Sequence, residues 1–102
     1  MILGPADQPA GPEVVEAPSL ADQVATAALA VPGVTALHGG TFSVGTYLPG
    51  RRVLGVRLTS AYAEVHVAVA MGSRVAEVAT ALVAAVEPLV GVPVRVFVED
   101  VD

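Results

Sequence analysis

Between Tyr62 and Val101 the side-chain period changes twice, and few folds accommodate that. Tyr62-Ala-Glu-Val-His-Val-Ala-Val-Ala-Met71 alternates strictly. Ala63, Val65, Val67, Val69 and Met71 point to one face, and Glu64 and His66 lead the other, as in a half-buried strand. After Gly72-Ser73 the apolar residues Val75, Val78, Ala79, Leu82, Val83, Val86 and Leu89 recur at helical spacing. Gly91 and Pro93 stop that helix, and Val94, Val96, Val98 and Val101 mark a closing strand. If the two strands are parallel in one sheet, the helix is their right-handed crossover.

The upstream chain supplies the rest of a small domain. Ser19-Leu-Ala-Asp22 is a capping box with the shorter carboxylate. Leu20, Val24, Ala27, Ala28 and Val31 form the buried stripe of the helix it opens, and Pro32-Gly33 ends that helix. Val34 to His38 is a short strand broken by Gly39-Gly40, and Thr41 to Leu48 alternates loosely. Pro49-Gly50 has the residues of a tight turn. From Arg51 to Ser60, Leu54, Val56 and Leu58 are expected inward, with Gly55, Arg57 and Thr59 outward. The predicted fold is α+β: a two-layer domain in the order α-β-β-β-α-β, with a three- to four-stranded mixed sheet and both helices on one face. It spans residues 19–102. Residues 1–18 hold four of the eight prolines and are expected to be a disordered acidic tail.

Composition removes several function classes. At 102 residues the chain has the length of one domain. Its net charge is −5, and all five of its basic residues are arginine. That balance opposes a nucleic-acid footprint and attachment to anionic lipid. With no cysteine, disulfides and thiolate metal sites are excluded. Met1 to Asp7 lacks the basic start and apolar core of a signal peptide, and the apolar run from Val78 to Val86 is too short to span a bilayer. A cytoplasmic protein is expected.

Sites of chemistry are sparse. His38 and His66 are the only imidazoles. His66 shares a strand face with Glu64, while His38 precedes two glycines and suits a turn. No metal site is expected, because the further ligands are lacking. Ser43, His66 and Asp100 contain the residue types of a hydrolytic triad but lack a nucleophile elbow, and no phosphate-binding loop is present. No catalytic residue and no cofactor are expected. Arg51, Arg52 and Arg57 are the one concentration of positive charge, flanked by Tyr47 and Leu48. Arginine forks beside an exposed aromatic make a protein-binding hot spot, so these five residues are the expected partner-binding site. The competing reading pairs the arginines with Glu64 or Glu99. On the second helix, Ala81, Ala84 and Ala85 are expected outward, with Arg74, Glu77 and Pro88, and form a candidate self-association face.

Val31-Pro-Gly-Val34, His38-Gly-Gly40, Thr46-Tyr-Leu-Pro-Gly-Arg-Arg-Val53 and Gly55-Val-Arg57 are followed by the alternating strand, the Val/Ala helix and a final Val-x-Val-x-Val strand ending Glu99-Asp100-Val101. Over Ser19 to Asp102 this resembles the alkaline-shock, or envelope-stress-response, protein family of Gram-positive bacteria, in its short actinobacterial form. The resemblance implies a non-enzymatic α+β module that acts in envelope homeostasis. Such a module self-associates or binds a protein partner, and a membrane-anchored partner would recruit it to the inner face of the cell membrane without insertion. The alternative is a small KH-like nucleic-acid-binding module. Against it stand the acidic charge and the lack of any Gly-x-x-Gly clamp.

Overall fold

A computed structural model describes residues 19–39, 45–48 and 51–102, excepting the side chains at 46–48, 51 and 52. The expected tail, Ser43 and the Pro49-Gly50 turn lie outside the described residues. The order is α1 (Leu20–Leu29), β1 (Val34–Leu37), β2 (Gly45–Leu48), β3 (Arg51–Leu54), β4 (Val56–Leu58), β5 (Ala63–Val69), α2 (Val75–Val90) and β6 (Val94–Val101). The α+β class, the helix–strands–helix–strand order and the mixed sheet agree with the sequence reading, but five strands rather than the expected three lie between the helices.

The sheet is built around β5. Along one edge β5 pairs in parallel with β6, from Ala63↔Val94 to Val69↔Val101. Along its other edge two short strands follow one another, both antiparallel. β4 takes the first half, ending at Val56↔Val65, and β1 takes the second, from Leu37↔Val67. The handover falls at His66, whose N–H donates to the Gly55 carbonyl and whose carbonyl accepts from the His38 N–H, both at 2.8 Å. Gly55 sits at φ +79, and a Cβ there would lie 2.8 Å from the His66 carbonyl oxygen and 3.0 Å from the His38 nitrogen. Only a residue without a side chain fits this backbone junction.

Gly55 also corrects the expected alternation. β3 forms a separate two-stranded hairpin with β2, pairing Tyr47 with Arg52 and Leu48 with Arg51. The left-handed step at Gly55 changes the phase between hairpin and sheet. Val53 and Val56 are therefore buried, and Leu54, expected inward, is exposed.

Both helices pack on the face of β5 that carries Val65, Val67 and Val69. Val24 and Ala28 from α1, and Val78, Leu82 and Val86 from α2, join these valines in one core. The capping box of α1 is complete, since Ser19 Oγ accepts from the Asp22 N–H and Asp22 Oδ2 accepts from the Ser19 N–H. Ala21 takes the buried place expected of Leu20, which is exposed.

In α2 the buried arc is rotated from the expected stripe. Val75 and Leu89 are exposed, whereas Ala81 and Ala85, expected outward, pack on the core. The cause is that α2 packs on α1 as well as on the sheet, so its apolar arc turns toward the second helix. Of the three alanines only Ala84 is exposed. Met71, expected in the core, lies beyond the end of β5 and is 77% exposed.

Candidate functional site

Neither helix covers the other face of the sheet, and the polar side chains gather there. Residues in register across paired strands share a face about 5 Å apart. Glu64 on β5 has Arg57 of β4 on one side and Arg95 of β6 on the other, and His66 has Phe97 beside it. The Arg95 guanidinium carbon lies 3.8 Å from the centre of the Tyr62 ring. The His66 and Phe97 rings are stacked, with centres 4.4 Å apart and planes 11° from parallel.

At the middle of this face His66 is held between two carboxylates. Its Nδ1 lies 2.6 Å from Glu99 Oε2, and its Nε2 lies 3.2 Å from Glu64 Oε1. His66 and Glu64 are only 6% and 8% exposed. A neutral imidazole has one N–H to donate. Both contacts are therefore hydrogen bonds at once only when the cluster holds one proton beyond a neutral imidazole and two carboxylates.

An irregularity in β6 builds the Glu99 arm. The register steps from Val67↔Val98 to Ala68↔Asp100, so Glu99 is the extra residue of a bulge. Bulges re-aim side chains, and this one delivers the Glu99 carboxylate to His66.

Each ring nitrogen of His66 is taken up by a carboxylate. A histidine acting as general base or metal ligand must present a free ring nitrogen. Here each nitrogen faces a carboxylate, and the described residues contain no group of three or more ligating side chains suited to a metal ion. Asp100, drawn into a paper triad with His66, turns Oδ1 to the Val101 N–H at 2.9 Å instead. A shallow, open depression of about 360 Å³ beside Gly33, Ser73 and Val78 carries one exposed ion pair, Arg74–Glu77 at 3.3 Å. Such a pair adds little energy.

The expected sites fare unevenly. Arg57 belongs to the sheet face rather than the hairpin. The side chains of Tyr47, Leu48, Arg51 and Arg52 lie outside the described residues. The acids proposed as arginine partners turn elsewhere: among the described residues, the ion-pair partner of both Glu64 and Glu99 is His66. His38 contributes backbone at the Gly55 junction. Tyr62, Arg95 and Phe97 were not foreseen as site residues. Their signal was the two-residue spacing of Tyr62, Glu64 and His66 on β5 and of Arg95, Phe97 and Glu99 on β6.

Comparison with family models, curated proteins and solved structures returned no match. Among the described residues, no helix is long and apolar enough to cross a membrane.

Proposed function

We propose that this chain is a non-enzymatic protein-interaction module, and that its working surface is the helix-free face of the sheet. The observation that carries this reading is the Glu64–His66–Glu99 cluster. A surface built for binding holds charged and aromatic groups in fixed positions, and here both ring nitrogens of the histidine are committed to holding it. Phe97 is stacked on that histidine and still 40% exposed. A rigid, half-exposed aromatic with an arginine, Arg95, beside it on the same strand face is the composition of a protein-binding hot spot. The resemblance of Ser19–Asp102 to the envelope-stress-response family supports a setting for the module. It works in the cytoplasm, in envelope homeostasis, where a membrane-anchored partner brings it to the inner face of the membrane.

Proximity labelling from the full chain in the producing cell tests this. Phe97→Glu and Arg57→Glu are expected to lose the labelled neighbours that wild type marks. Thr80→Glu, on the exposed side of α2, is expected to keep them. If both face variants mark the same neighbours as wild type, the face is not the working surface.

A further inference from the structure

The outer edge of β6 is the second feature of this face. Among the described residues β6 pairs only with β5. The Ala63 N–H donates to the Pro93 carbonyl, which sets the phase of the ladder. Backbone groups of residues 93, 95 and 97 point at β5, and those of Val94, Val96 and Val98 point away. After the bulge the phase reverses, so that the Asp102 N–H reaches the Val69 carbonyl at 2.8 Å. The unpaired edge is thus short and lies over Val94 to Val98.

We infer that this edge pairs with a second copy of the same chain, antiparallel, about a two-fold axis at Phe97. The inference rests on the reading of this face as an interaction surface and names its partner. It follows from the self-complementary order of β6, Val94-Arg-Val-Phe-Val-Glu-Asp-Val101. With Phe97 opposite its own copy, Arg95 stands opposite Glu99 of the second copy, and the reverse pair forms on the other side of the axis. Both residues lie on the helix-free face. Glu99 gives one oxygen to His66 and keeps Oε1 for the incoming guanidinium.

Val96 stands opposite Val98 in the same register, and both are residues whose backbone groups point outward. They form the hydrogen-bonded pairs on either side of the axis. Phe97 meets its copy at the non-hydrogen-bonded position, where side chains approach most closely. A shift of one residue breaks this: it opposes outward-pointing backbone to inward-pointing backbone and sets Phe97 across from Val98. The bulge after Val98 limits the ladder to the centre, so the dimer is closed and weak rather than an open fibre.

The test is light scattering on the full chain from about 1 µM to about 1 mM. The wild-type mass is expected to rise from one chain toward two. Arg95→Glu alone and Glu99→Arg alone each place like charges opposite one another at both ends of the axis, and each is expected to stay at the mass of one chain. An equimolar mixture of the two variants restores an attractive pair at both ends and is expected to associate again, one to one. Val96→Pro removes an outward N–H without disturbing a bond to β5 and is expected to abolish association. Circular dichroism confirms that each variant is folded. A wild type that keeps the mass of one chain throughout overturns the inference. So does a wild type whose association survives Arg95→Glu and Val96→Pro. In either case, loss of labelled neighbours in Phe97→Glu leaves the interaction-module reading standing.

Discussion

Gly55 lets hairpin, sheet and site coexist. Its positive φ ends the hairpin's phase, and its missing Cβ admits the His66 carbonyl and His38 backbone at van der Waals limits. His66 then stands at the meeting of three strands, with its ring placed for Glu64 and Glu99. Glycine also occupies the C-terminal cap of α2, where Gly91 sits at φ +68 with nothing near a would-be Cβ. The two positions separate conformational strain from collision. Gly91→Ala carries only the left-handed penalty, about 1 kcal/mol. Gly55→Ala adds a backbone clash that no rotamer relieves, and its cost is expected to be about 3 kcal/mol. Urea denaturation of both variants checks the ranking. Equal costs would mean that the junction relaxes freely and does not pin His66.

At the scale of elements, the periods in the sequence were sound guides to what forms and weaker guides to what is buried. The capping box, the span of α2 and the strand character of β5 and β6 were legible because each depends on local backbone chemistry. The arc of α2 that faces inward was not, since it depends on where α1 lies. Similarly, alternation in β5 marks Glu64 and His66 as the outer face, yet all seven residues of the strand are buried. The cluster needed the register of a parallel pair and a bulge, and neither leaves a local signature. The rotated arc makes a prediction of its own. Ala85→Lys places a long cation against the core and is expected to cost about 1–3 kcal/mol. Ala84→Lys, one residue away and exposed, is expected to stay within about 0.5 kcal/mol. Thermal unfolding of the two variants distinguishes this packing from one in which Ala81, Ala84 and Ala85 form a common outer face.

For the molecule as a whole, β5 is the hub and β6 the boundary. The C-terminal end of the sheet is tied on both sides: Thr35 Oγ1, on β1, donates to Asp102 Oδ2 at 2.6 Å, and the Met71 N–H donates to the Asp102 carbonyl at 2.7 Å. With that end held, the edge of β6 that is unpaired among the described residues is a rigid template, and pairing it with a second copy couples association to folding. Anything that binds the native state alone raises its stability by mass action. For a dimer that unfolds to two chains, each tenfold rise in concentration adds about 1.4 kcal/mol per dimer. With an m-value of about 1 kcal/mol/M for each chain, and so about 2 for the dimer, the urea midpoint of the wild type should climb by roughly 0.7 M per tenfold once dimers dominate. It should be flat below that range, and flat throughout for Arg95→Glu. A midpoint that climbs equally in both would place the coupled interface on another surface, because the loss of Arg95 from Tyr62 and Glu64 lies within one chain and shifts the midpoint alike at every concentration.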